Sequence, residues 1–255
     1  YGTSAPNTPS RGRFLPFMFK GTSFSTGGYS AEYGQALSSA LVLDSKDKAE
    51  STRTDIGLLS VGGDVAHTQA WDRGSVAGKI QYTNIRPYIG LISQETDWQT
   101  PPASIEGVTA FRQLVGKDGL FKFYGNFNHS NFSLYNHSIN DFSVKYLYDL
   151  TNDYRYLNGF YNNTLSEKWS VRGGLSYNYI QNDAWVEADN IEETEKGIHA
   201  KTVLEGSLSD KVELKYGGEI IHRNYSQYFD LKTGEDYVLG FDELIAAGFA
   251  ETNIY

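Results

Sequence analysis

The stretch Trp169-Ser170-Val171-Arg172-Gly173-Gly174-Leu175-Ser176-Tyr177-Asn178-Tyr179 decides the fold. Apolar side chains at Trp169, Val171, Leu175, Tyr177 and Tyr179 alternate with Ser170, Arg172, Ser176 and Asn178, a period of two. Strand side chains point to opposite faces in turn, so this segment reads as a β-strand with one apolar and one polar face. Two later segments repeat the pattern. Ile198, Ala200, Thr202, Leu204 and Leu208 alternate with His199, Lys201, Glu205 and Ser207. Val212, Leu214, Tyr216 and Ile220 alternate with Lys211, Glu213, Lys215 and Glu219. Each runs to about a dozen residues, beyond the common globular strand of about five or six and enough for the about nine to eleven that a tilted membrane-spanning strand needs.

Working outward, Trp71-Asp72-Arg73-Gly74, Gly116-Lys117-Asp118-Gly119, Ser166-Glu167-Lys168 and Ser209-Asp210 read as tight turns, because Gly, Asp and Ser supply the dihedrals and local hydrogen bonds that turns need. Long polar connections are expected at 85–107, 128–152, 183–196 and 225–242. Short turns at one end and long loops at the other are the pattern of an outer-membrane barrel. A hairpin at Ser60-Val61-Gly62-Gly63 keeps that parity. Ten strands are then expected, at 52–59, 64–70, 75–84, 108–115, 120–127, 153–165, 169–182, 197–208, 211–224 and 243–255. The expected fold class is all-β, a transmembrane antiparallel β-barrel. Val171, Leu175, Tyr177, Ile198, Leu204, Val212, Leu214 and Tyr216 should face lipid. Arg172, Asn178, Lys201, Glu205, Glu213 and Lys215 should face the interior. Trp71, Tyr82, Trp169, Tyr154 and Tyr156 fall where interfacial aromatic girdles would lie.

Composition narrows the classes. The chain has 255 residues, with 22 basic and 31 acidic side chains, a formal charge of −9 and no Cys. That charge argues against nucleic acid, whose phosphates need clustered Lys and Arg. Zero Cys excludes a disulfide scaffold, thiol catalysis and the usual structural zinc sites. No run of eighteen apolar residues forms a transmembrane helix. No basic-then-apolar leader opens the sequence, which reads as a mature or truncated product. The five His include His129 and His137, which share one expected loop with Asp141 but lack metal-ligand spacing. The acidic run Glu187, Asp189, Glu192, Glu193 and Glu195 reads as a solvated outer loop. No catalytic residue, metal or cofactor is expected, so the chain does not read as an enzyme.

Residues 1–50 do not alternate. They hold Arg11-Gly12-Arg13-Phe14-Leu15-Pro16-Phe17-Met18-Phe19-Lys20 and then a Gly/Ser-rich run. From Gly27 the sequence continues Gly28-Tyr29-Ser30-Ala31-Glu32-Tyr33-Gly34-Gln35-Ala36-Leu37-Ser38-Ser39-Ala40-Leu41-Val42-Leu43-Asp44-Ser45-Lys46. This segment resembles the closing part of the plug domain in TonB-dependent outer-membrane receptors. Tyr33-Gly34 matches the family's Tyr-Gly, Ser38-Ser39 stand near its Gly-Gly, and Leu41-Val42-Leu43 with Ser45-Lys46 match its last strand. Thr26 stands where the family has an arginine, and the segment is about one residue short. The resemblance implies that 1–50 is the carboxy-terminal part of a plug and 51–255 the amino-terminal part of a barrel of about 22 strands, since about ten strands cannot enclose a plug.

It further implies import of a scarce nutrient (siderophore, vitamin or glycan) across the bacterial cell outer membrane. The implied partners are outer-membrane lipid, the small nutrient ligand, a surface lipoprotein, and the inner-membrane TonB complex acting through an amino-terminal box outside this sequence. Arg11, Arg13, Tyr33 and Gly34 are the candidate plug–barrel contacts. The two arginines are expected to meet acidic side chains facing the interior, with Arg13 taking the role of the arginine absent at Thr26. Trp98, Phe132 and Tyr135 are the candidate ligand-binding aromatics, placed to stack on a ligand such as a sugar. The alternative is a small outer-membrane or soluble β-barrel or sandwich with a binding or adhesion role.

Overall fold

A computed structural model describes residues 19–25, 29–34, 40–92, 96–138, 141, 143–232 and 234–255. Among the described residues the chain is all-β apart from a single helical turn, α1 (Arg86–Ile89). Two short strands, β1 (Phe19–Ser25) and β2 (Ala40–Ser45), pair antiparallel with each other. Ten further strands form one open sheet in sequence order, every neighbour antiparallel. They are β3 (Arg53–Leu59), β4 (Gly62–Trp71), β5 (Gly74–Asn84), β6 (Asp97–Val115), β7 (Gly119–His137), β8 (Lys145–Ser166), β9 (Trp169–Val186), β10 (Asp189–Ser209), β11 (Val212–Asp230) and β12 (Tyr237–Ile254). The strand number matches the sequence expectation, and so do all five tight turns. At the β6–β7 turn Gly116 takes φ 63°, a left-handed conformation glycine adopts without steric cost.

The long loops do not. Residues 183–196 are the end of β9, the start of β10 and a turn of only Glu187 and Ala188. Likewise β7 runs to His137 and β8 begins at Lys145, so most of 128–152 is strand. Most of 225–242 is strand as well, and β6 begins at Asp97, within the expected 85–107 loop. In these stretches apolar residues fall on both faces, as Leu134 beside Tyr135 on β7 and Leu147 beside Tyr148 on β8, so the apolar–polar alternation that marks a half-buried strand disappears while hydrogen bonding continues. Two consequences correct the sequence reading. His129 and His137 lie on β7, not in a loop with Asp141. Tyr154 and Tyr156 lie in the middle of β8 rather than at a strand end. The region from Phe19 to Ser25, read as non-strand, is β1.

The two faces of the sheet differ sharply. Pairing registers put Val171, Leu175, Tyr177, Ile198, Leu204, Val212, Leu214 and Tyr216 on one face and Arg172, Asn178, Lys201, Glu205, Glu213 and Lys215 on the other. The second, polar face carries residues 19–25, 29–34 and 40–49 and is the covered face. Phe19 of β1 packs on a cluster of Val108, Ala110 and Tyr124, its ring centroid 5.8 Å from that of Tyr124. Arg112 Nε donates to the Lys46 carbonyl at 2.8 Å, and Lys122 Nζ meets Asp47 at 3.0 Å. The opposite, bare face leaves large apolar side chains exposed on every strand, among them Ile56, Val65, Ile80, Leu175, Ile198 and Leu244.

Candidate functional site

Two groupings on the covered face bring distant residues together. The first lies where residues 29–34 cross β9 to β12. These residues sit in a turn, with Tyr33 N bonded to the Ser30 carbonyl at 3.0 Å. Glu32 is buried, and its carboxylate pairs with the guanidinium of Arg172 on β9. Arg172 also donates to Glu205 Oε2 at 2.8 Å. Lys201 Nζ donates to the Glu32 carbonyl and lies 3.4 Å from Glu219 Oε2, which His199 Nε2 approaches to 3.0 Å. Ser30 donates its hydroxyl proton to Glu251 Oε2 at 2.5 Å, and the Ala31 N–H donates to the same oxygen at 2.9 Å. Lys215 closes the set, 3.3 Å from Ser30 Oγ and 3.9 Å from Glu205.

Tyr33 and Gly34 belong to this grouping. Lys201 Nζ lies 5.7 Å from the centroid of the Tyr33 ring, and a cation over a ring face is attracted by its quadrupole. Burial and the neighbouring Glu32 carboxylate push the Tyr33 phenol above its usual pKa. Gly34 comes close enough that a Cβ there would stand 4.0 Å from Glu219 Oε1, ordinary contact. Arg11 and Arg13 lie outside the described residues. At this junction the short segment supplies an acid, Glu32, and the sheet supplies its cationic partners, Arg172 and Lys201. A cavity of about 240 Å³ remains beside it, between Tyr33, Asn158, Phe160, Ser176 and His199. Sequence gave no signal for Glu32, because its partners lie on β9 and β10, far along the chain.

The second grouping stands toward the end of the sheet away from the tight turns. Trp98 and Phe132 meet edge to face, centroids 5.9 Å apart, and Phe132 lies 6.1 Å from Tyr148. Two of the three candidate ligand aromatics are therefore brought together. Tyr135 is not among them: it is three residues from Phe132, and an odd offset along a strand puts it on the bare face. Tyr148 takes its place, unrecognised in the sequence because 128–152 read as loop. A hydrogen-bonded row continues alongside, with Asn152 Nδ2 donating to Asn182 Oδ1 at 2.5 Å and Asn182 Nδ2 donating to Glu193 at 3.2 Å. Among the described residues no three His, Asp or Glu side chains converge on a possible metal position. The chain matches no protein-family model, no curated protein and no solved structure.

Proposed function

We propose that this chain is part of a TonB-dependent outer-membrane transporter: residues 1–50 the end of its plug, and residues 51–255 about ten strands of a barrel of roughly 22. On this reading the bare face meets lipid and the covered face lines the lumen. The carrying observation is the bare face itself, where Ile56, Val65, Ile80, Leu175, Ile198 and Leu244 stand exposed across the full width of the sheet. A monomeric soluble protein rarely leaves a contiguous apolar patch larger than a few hundred Å² in water. In a bilayer the same band costs nothing.

Strand length supports the same reading. β8 has 22 residues, which at about 3.4 Å each makes roughly 70 Å. Tilted near 45°, such a strand rises about 50 Å, more than the about 30 Å of hydrocarbon it would cross. The excess forms sheet beyond the membrane, on the side of the Trp98 grouping. The Glu32 grouping lies nearer the tight turns and ties the plug segment to the wall. Opening a path for a nutrient means loosening that tie, and the inner-membrane complex supplies the work.

Fractionating cells that express the protein as its gene encodes it tests the proposal. Recovery in the outer membrane, with a gel mobility that shifts on heating, is the expected result. Recovery in the soluble fraction instead favours a sandwich with a binding role.

A further inference from the structure

We infer that the ligand is a neutral, hydroxyl-rich molecule, an oligosaccharide, seated against Trp98, Phe132 and Tyr148. This rests on the transporter reading, which makes the covered face the wall a ligand passes. The inference comes from how charge is distributed along that wall.

A row of paired residues, Val108–Asn126–Tyr156–Asn178–Gly197–Arg223–Glu243, crosses the covered face from β6 to β12. Between this row and the far end of the sheet, the covered face of these strands carries no Lys or Arg among the described residues. Arg223, within the row, is already 3.6 Å from Glu243. The cations on the other side of the row are also engaged: Arg172 and Lys201 with Glu32, and Lys122 with Asp47. What the far region does carry is acidic, Glu106, Glu193 and Glu195. An anionic ligand, such as a ferric catecholate or a carboxylated sugar, would meet acids of its own sign on this part of the wall and no Lys or Arg among its described residues.

The neutral groups match a sugar instead. Each asparagine amide carries both donors and an acceptor, which suits hydroxyls that are themselves both. Aromatic rings offer an apolar face for the C–H side of a pyranose while leaving its hydroxyls to polar neighbours. Trp98, Phe132 and Tyr148 are only half-buried, and the Phe132–Leu150 row adjoins the row of Asn152 and its bonded partner Asn182. Glu193 does not stand alone: it accepts from the Asn182 amide and from the Tyr225 phenol.

The test uses the full encoded protein, purified from outer membranes, and calorimetry with four hexasaccharide probes and one chelate. The probes are maltohexaose and mannohexaose (neutral), hexagalacturonate (anionic), chitosan hexamer (cationic) and ferric enterobactin (anionic). Binding of a neutral probe is expected. Trp98→Ala and Tyr148→Ala should each weaken it by about tenfold or more, the loss of one aromatic stacking contact. Tyr135→Ala, on the other face, should leave it unchanged. Heat-shifted gel mobility equal to that of the parent protein shows that each variant folds, and Trp98→Phe should restore most of the binding. The inference is overturned if no neutral probe binds, if only a charged one does, or if Tyr135→Ala weakens binding as much as Trp98→Ala. Those outcomes in a protein recovered from the outer membrane sink the ligand class alone; absence from the outer membrane sinks the transporter reading with it.

Discussion

The carboxylate of Glu32 pairs with the guanidinium of Arg172, a residue 140 positions further along the chain. Glu32 is almost wholly out of water, and Arg172 keeps 30% of its side chain exposed. Removing one partner strands the other charge. Arg172→Ala should cost about 2 kcal/mol, below the about 3–5 of a fully buried pair, because solvent still reaches this one. Urea midpoints for Glu32→Gln, Arg172→Ala and the double variant check it. The double variant should recover part of the loss, since neither orphan charge then remains.

Neighbouring residues on opposite faces should respond in opposite ways to the same charge. Ile198→Arg places a guanidinium on the bare face, where mid-bilayer depth costs about 2–4 kcal/mol. His199→Arg places it on the covered face beside Glu219, which His199 already meets at 3.0 Å. The first variant should be lost from the outer-membrane fraction and the second retained. Equal behaviour of the two in a fractionation assay would count against a lipid-facing surface.

Asp47 gives the junction an acid limit. The hydrogen bond from Lys20, and then the hydrogen bond and charge of Lys122, hold its carboxyl below the usual range. A depressed carboxyl contributes stability that is complete above its unfolded pKa of about 3.9 and is lost as pH falls through the lower folded value. Attachment of β1 and β2 to the sheet should therefore weaken only below about pH 4. Asp47→Asn should flatten that acid response and lower stability at neutral pH slightly, given that Asp47 is largely solvated. Acid-stable pepsin cleavage within 19–49, followed against pH, measures both.

Two glycines on the strands flanking β10 should tolerate alanine very differently. A Cβ at Gly217 would stand 2.1 Å from the Thr202 carbonyl oxygen, a backbone atom that cannot turn aside. At Gly173 the nearest atom would be the Lys201 carbonyl oxygen at 3.5 Å, ordinary contact. Gly217→Ala should lower stability by about 1–3 kcal/mol through overpacking, while Gly173→Ala should be near neutral. Thermal unfolding of the heat-shifted gel species compares them directly.

What could be read from sequence follows from where each signal is stored. The tight turns were legible because Asp, Gly and Ser at 72–74 and 209–210 carry turn chemistry locally. The sorting of Leu175 from Arg172, or Leu204 from Lys201, was legible because period two is also local. Beyond Asn182 the β9 strand continues without apolar alternation, and its turn uses Glu187 at φ 59° rather than the Gly or Asn usual there, so strand and turn were both hidden. The Glu32 pairing and the meeting of Trp98 with Phe132 depend on register between separate strands, which no local window contains. Tyr135 was misplaced for the same reason that Phe132 was not: only a strand assignment separates them.

The continuation of β9 into β10 through two turn residues restricts how this region changes over generations. A flexible loop absorbs an insertion of any length. A paired hairpin does not, since a slip of one residue turns every side chain beyond it to the other face. Tolerated changes in length between Asn178 and Gly197, which face each other across this hairpin, therefore come in even steps shared by both arms. Trp98 and Tyr148, held on neighbouring ladders, inherit the same quantised inheritance: new specificities arise there by exchanging side chains on a fixed lattice, not by remodelling its outline.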